Sequence, residues 1–188
     1  MKPEFNVYVI SDTHFNHFNI INLCHRPYKS GEEMNDKMIN SWNAIVRPQD
    51  VIIHLGDLIF TKGASEEIKK IIKRLNGRKI LVAGNHDRKS YSFYMSAGIE
   101  FICESFRWFY NDKQIMFIHS PHDIDPSILK KVDYIIHGHS HQNSPFISKV
   151  KKTTFINVSV EQIQYKPILL ITLFNRVKQG YYDKKGKK

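Results

Sequence analysis

The chain has 188 residues, which fits one domain, expected over 1–178, with a basic, flexible tail over 179–188. Hydrophobic residues make up 41% and charged residues 24%, the proportions of a globular protein that can bury a core without staples. The balance of 28 Lys and Arg against 18 Asp and Glu gives +10. That favours polyanionic partners such as nucleic acid or nucleotides, although a Lys-rich composition ending in Lys184, Lys185, Lys187 and Lys188 is the plainer source. Two cysteines, Cys24 and Cys103, imply no disulfide framework; both are expected to be inert thiols in a reducing cytosol. Residues 1–6 hold no signal-type apolar segment, and no stretch approaches the length of a membrane span, so a soluble cytoplasmic protein with no membrane partner is expected.

Residues 5–10 are mostly apolar and read as a buried strand, ending in Ser11-Asp12-Thr13-His14. Between 31 and 46, Met34, Met38, Ile39, Trp42 and Ile45 recur at helical spacing, and Pro48 closes that helix. Residues 51–54 form a second short apolar run, which leads into Leu55-Gly56-Asp57. Residues 64–75 predict an amphipathic helix, with Ile68, Ile71, Ile72 and Leu75 inside and Lys69, Lys70 and Lys73 outside. Asn76-Gly77 ends it, and a third strand around 79–82 runs into Gly84-Asn85-His86-Asp87. Strands alternating with helices predict an α/β sheet with crossovers, whose reactive groups gather at the carboxyl ends of strands.

The second half changes character. Gly98 caps a short helix, and residues 99–110 and 114–119 are strand-like, separated by the hairpin signal Asn111-Asp112-Lys113. A short helix is expected near 126–131. Residues 133–137 form another apolar strand that ends in Gly138-His139-Ser140-His141. Residues 153–158 and 168–174 are expected to close a second sheet.

The polar strand ends bring together Asp12, His14, Asp57, Asn85, His86, His119, His139 and His141, eight residues on five segments. Imidazoles, carboxylates and one amide, with no thiolate among them, suit a borderline or hard divalent ion such as Mn, Fe, Zn or Co. Asp12 with His14, and His139 with His141, are spaced i, i+2, so each pair aims at one site if the chain stays extended. Those two pairs plus Asp57, Asn85 and His119 make seven ligands, too many for one ion and suited to two ions sharing a carboxylate.

The order Asp-x-His, Gly-Asp, Gly-Asn-His-Asp, His, Gly-His-x-His resembles the calcineurin-like metallophosphoesterases, over Asp12 to His141, about two thirds of the chain. Residues 11–21 and 157–161 further resemble a compact, cap-less bacterial and phage branch of that family. The resemblance implies a four-layer α-β-β-α sandwich of two mixed sheets flanked by helices. It implies that Asp12, His14 and His141 hold one ion, that Asn85, His119 and His139 hold a second, and that Asp57 bridges. His86 would face the phosphate, with Asp87 orienting its ring. The implied cofactors are two divalent ions per chain, manganese foremost, with Fe, Zn, Ni or Co as the others. Two such ions about 3.5–4 Å apart acidify a shared water, and the bridging hydroxide attacks phosphorus in line. His86 would then assist the leaving group.

The expected substrate is a phosphodiester of a nucleotide or short nucleic acid, 2′,3′-cyclic nucleotides included. A phosphomonoesterase or protein phosphatase would use the same centre, and a non-catalytic scaffold is the alternative of another class. His17, Arg88 and His122 are the further candidates for substrate contact, and Arg26 is a second candidate for an anion. His25, His54 and His137 read as structural, and Tyr91, Phe93 and Tyr94 either stack a base or join the core.

Overall fold

The computed structural model describes residues 4–60, 62 and 64–179, so the predicted tail lies almost wholly outside the described residues. The first sheet holds β1 (Val7–Ile10), β2 (Val51–His54), β3 (Arg78–Val82) and β4 (Ile99–Cys103), all parallel. The second holds β5 (Ser105–Tyr110), β6 (Lys113–Ile118), β7 (Tyr134–His137), β8 (Ile147–Val150) and β9 (Thr153–Asn157), in the order β5-β6-β7-β9-β8. Its three central strands are parallel and its two edge strands antiparallel to their neighbours. A two-residue strand, β10 (Ile168–Leu169), pairs antiparallel with β1 and completes the first sheet.

The helices follow from the apolar stripes. Besides α1 (Ile20–Leu23), the first half forms α2 (Gly31–Asn43), which Ser30 caps by accepting the Glu33 N–H at 3.2 Å. Helix α2 buries Met34, Met38, Ile39 and Trp42 as the spacing predicts, whereas Ile45 lies beyond its end. The Trp42 indole N–H donates to the Asn76 carbonyl at 2.9 Å and ties α2 to the turn before β3. Helix α3 (Ser65–Arg74) buries Ile68, Ile71 and Ile72 in the same core. The short α4 (Tyr91–Ser96) buries Tyr94, so the aromatic run contributes at least one core residue.

The second sheet divides its side chains by face, as a period of two requires. Ile115, Phe117, Ile136 and Ile156 join the main core, whereas Met116, Ile118 and Ile135 form a smaller cluster with Val132. That outer cluster is covered by Ile124, Ile128 and Leu129, around 3-10 turns at Pro121–Asp123 and Ile128–Lys130. The expected layering of two mixed sheets with flanking helices is therefore present.

Three expectations about elements change. The run 99–110 is two strands: β4 pairs with β3 in one sheet, and after Glu104 the chain enters the other sheet as β5. Residues 168–174 are strand only at Ile168–Leu169, and that strand lies in the first sheet rather than the second. The rest opens α5 (Leu170–Lys178), which buries Leu170, Leu173 and Phe174 at i, i+3 and i+4. Strand β8 was not expected; its single buried residue, Ile147, leaves little pattern to read.

Candidate metal centre

The parallel strands direct their carboxyl ends to the line where the two sheets meet. Ser11 forms a parallel bridge with Ser159, its N–H donating to the Val158 carbonyl at 3.0 Å and its carbonyl accepting from the Val160 N–H at 3.1 Å. The β1 and β2 loops also pair: the Asp12 N–H donates to the Gly56 carbonyl at 3.0 Å and the His14 N–H to the Asp57 carbonyl at 2.9 Å. The chain is not extended here. Asp12, His14, Asp57, His139 and His141 have φ values of 58, 50, 54, 68 and 45°. Left-handed backbone costs about 1–2 kcal/mol per residue for a side chain other than glycine. Strained turns, not the two-residue period of a strand, therefore aim these side chains at one another.

Two glycines make the approach possible. A Cβ at Gly84 would strike the Asp57 carboxylate, and a Cβ at Gly138 would strike the Ser11 hydroxyl and the Asp12 carboxylate.

Asp57 stands between two sets of donors. Its Oδ2 is 3.4 Å from His14 Nε2 and 3.5 Å from His119 Nε2. Asp12, His14 and His141 offer ligand atoms within 4.8 Å of one another, and so do Asp12, Asp57 and His119. Asn85 Oδ1 is 3.1 Å from both His119 Nε2 and His139 Nδ1, and those two nitrogens are 3.3 Å apart. Short contacts thus link all seven expected ligands into one cluster.

The chemistry of these donors fits divalent cations. His119 Nδ1 lies 2.7 Å from the Leu55 carbonyl, which can only accept, so the ring proton is on Nδ1. In the neutral ring Nε2 then carries a lone pair and faces the Asn85 carbonyl oxygen, lone pair against lone pair. Such a contact repels by itself and is favourable around a cation. Both His14 nitrogens are buried without a hydrogen-bond partner, which a ligated imidazole explains. Burial, reinforced by the charges of Arg26, His141, His17 and His86, holds His14 well below the usual imidazole range. Burial likewise raises Asp57, with Asp12 adding to the shift. Cationic charge at the centre would reverse the Asp57 penalty, and a neutral His14 imidazole is the form that binds a metal.

A second layer of residues, none of them given this role by the sequence, orients the candidate ligands. His141 Nδ1 donates to both Glu161 carboxylate oxygens at 3.1 Å, which leaves Nε2 on the Asp12 side, 3.8 Å from Oδ1. Glu161 is paired in turn with Arg26 at 2.8 Å, both side chains being nearly inaccessible to water. Burial lowers the basicity of His141, but the hydrogen bonds of Cys24 and Glu161 outweigh it and push the group up to about 10. Ser159 Oγ lies 2.9 Å from Asp12 Oδ2 and 2.7 Å from Asn157 Oδ1, and Asn157 Nδ2 donates to the His141 carbonyl at 2.8 Å. The segment 157–161 therefore clamps the two His and Asp loops to each other. Its only sequence signal was the likeness of that stretch to a family branch.

Several assigned roles change. The Arg26 guanidinium is engaged inside the protein rather than by a substrate anion. Its guanidinium donates to the carbonyls of Asp12 and Thr13 at 2.7 and 2.8 Å and binds Glu161. The Asp87 carboxylate does not hold the His86 ring; it accepts from the backbone N–H groups of Gly84, Asp57 and Leu58 at 2.9, 2.8 and 3.1 Å. It therefore shapes the loop from below, and burial raises it to about 7. Cys24, expected to be inert, lies in one cluster with His141 and Glu161.

His86 is half-buried, its N–H donates to Asp57 Oδ1 at 2.8 Å, and its ring lies 5.3 Å from that of His14. His17 stacks on Phe60 at 4.5 Å and 6.1 Å from His86. Arg88 is exposed and donates from Nε to the Asn85 carbonyl at 3.1 Å. His122 is exposed, with its ring 6.2 Å from that of His139. His54 and His137 are buried, as expected of structural residues. The Thr13 hydroxyl donates to the Leu58 carbonyl at 2.6 Å, so His54 must donate from Nε2 to Thr13 at 3.0 Å.

The calcineurin-like phosphoesterase superfamily domain matches residues 5–165. An uncharacterized protein of Methanocaldococcus jannaschii is 41% identical over 179 residues, which cover 93% of this chain and 92% of that one. The crystal structure of a protein of unknown function from Aquifex aeolicus, 27% identical, superposes with a TM-score of 0.71 over 92% of this chain and 99% of that one. The matched span, the two mixed sheets and the Asp, Asn and His centre of this chain agree: it belongs to the calcineurin-like phosphoesterase superfamily and is a metal-dependent phosphoester hydrolase.

Proposed function

We propose that the protein is a phosphodiesterase with a dinuclear centre, acting on diesters of nucleotides or short nucleic acid, 2′,3′-cyclic nucleotides included. The observation that carries the dinuclear reading is Asp57 Oδ2, at 3.4 Å from His14 Nε2 and 3.5 Å from His119 Nε2. Asp12, His14 and His141 would hold one ion, and Asn85, His119 and His139 the other, with Asp57 shared. Manganese is the ion we propose, since the donors are nitrogen and oxygen. When bound, such a pair supplies Lewis-acid charge and an acidified water.

The chain's own part is positioning and proton delivery. Asp87 fixes the loop that carries Asn85 and His86. The His86 ring, beside His14, gives a proton to the leaving oxygen. His17, held flat against Phe60, and the exposed Arg88 and His122 face the remainder of the substrate. The net charge of +10 draws polyanions to the surface. Both cysteines are free thiols and no helix among the described residues is long and apolar enough to cross a membrane, so we assign the activity to the cytoplasm.

The test is turnover with added manganese on bis-p-nitrophenyl phosphate, p-nitrophenyl phosphate, 2′,3′-cyclic nucleotides and a single-stranded oligonucleotide, with Asp57→Asn and His86→Ala in parallel. Metal content by elemental analysis accompanies each. Two ions per chain, diester turnover, and a loss of about two to four decades of rate in His86→Ala with metal retained are expected. Turnover of the monoester alone would overturn the diesterase reading, and one ion per chain the dinuclear one.

A further inference from the structure

We infer that a cavity beside His139 is a subsite for the nucleoside of the substrate, an inference that rests on the diesterase reading above. The cavity measures about 420 Å³ and opens next to the metal centre, with His139 in its wall. That volume falls within the range of small-molecule sites and far exceeds what a phosphate needs. A phosphate at the centre would thus have one substituent directed into a preformed space.

The lining specifies the class of that substituent. No acidic side chain occurs among the described residues that line the cavity, so nothing there repels a polyanion. Ser140, Asn143, Ser144 and Ser148 supply neutral hydrogen-bonding groups, which suit ribose hydroxyls and base edges. Phe155 and His122 supply rings for a planar base. Phe155 pairs across the strands with Ser148, and His137 stands edge-on to it at 6.1 Å, so the floor is a rigid part of the second sheet. Asn157 Nδ2 donates to Ser144 Oγ at 2.9 Å and so connects the cavity wall to the residues that clamp the metal loops. The same lining holds no lysine or arginine, so the cavity takes the neutral nucleoside while the centre takes the phosphate.

The experiment is amide NMR of the metal-free protein titrated with adenosine, with glycerol as the second probe. Saturable shifts at Ser140, Asn143, Ser148 and Phe155, at millimolar adenosine, are expected. Ser148→Tyr, which fills the cavity, should weaken adenosine binding about tenfold or more. Asn143→Ala, on the exposed turn His141–Asn143, should weaken it severalfold and serves if the first variant does not fold. Absence of saturable shifts at these amides overturns the inference. So do equal shifts with glycerol, or wild-type affinity in the folded variants. Manganese-dependent turnover of bis-p-nitrophenyl phosphate is measured on the same preparation: turnover without adenosine binding removes the subsite alone. Binding without turnover removes the diesterase reading and leaves a nucleoside site.

Discussion

Glu161 fixes which nitrogen of His141 faces the centre. With Nδ1 donating to the carboxylate, Nε2 is the nitrogen turned toward an ion, which would displace its proton, and Arg26 keeps the carboxylate in place. Outer partners of this kind typically change metal affinity about 10–100-fold. Glu161→Gln should therefore weaken manganese binding by about that factor in calorimetric titration; unchanged affinity would remove Glu161 from the site. Arg26→Ala leaves Glu161 buried without its cation. It should lower the free energy of unfolding in urea by about 3–5 kcal/mol. At this scale the sequence was informative about residue types and mute about their partners. Asp12, His14, Asp57 and His86 could be singled out because each follows an apolar run. Glu161 and Arg26 lie 135 residues apart and meet only in the fold.

The elements position those residues through their ends. Asp50 joins three of them just before β2. Its carboxylate accepts from the N–H groups of Asn6 and Arg47 at 2.8 Å each and from the Arg47 guanidinium at 2.7 Å. The Arg47 hydrogen bond, helped by the two backbone donors, holds Asp50 down to about 2. A carboxylate lowered in the folded state stabilises it above the unfolded value of about 3.9. That stabilisation is lost as pH falls from there through the folded value. Stability of the wild type should thus decline between about pH 4 and pH 2 more steeply than that of Asp50→Asn, as read by denaturant unfolding across that range. Equal slopes would show that Asp50 titrates alike in both states. Elements with a long stripe, α2 and α3, were legible from spacing. The segment 168–178 was not, because a short apolar run suits a strand or a helix equally until its neighbours are known. Its first two residues found an open edge at β1, and the rest found room for an amphipathic face.

Across the molecule, the centre is a joint between sheets. Asp12, His14, Asp57 and Asn85 follow strands of the first sheet, while His119, His139 and His141 follow strands of the second. An ion held by both sets ties them together, so manganese should raise the unfolding free energy. The gain should be about 2.7 kcal/mol at a hundredfold excess over the dissociation constant. A chelator should reverse the gain, and Asp57→Asn should remove most of it, both measured by thermal unfolding with and without metal. No change in melting temperature on metal addition would argue against a site that spans the sheets. The sequence by itself determined the family, the candidate donors and the alternation of strand and helix, because each depends on residue types in order along the chain. The tertiary structure alone decided how those side chains point and what holds them. Left-handed turns at Asp12, His14, His139 and His141 replace the extended geometry that i, i+2 spacing suggests. Asp87 serves the backbone rather than the His86 ring. Both depend on hydrogen bonds and strain between segments remote in sequence, which local spacing does not encode.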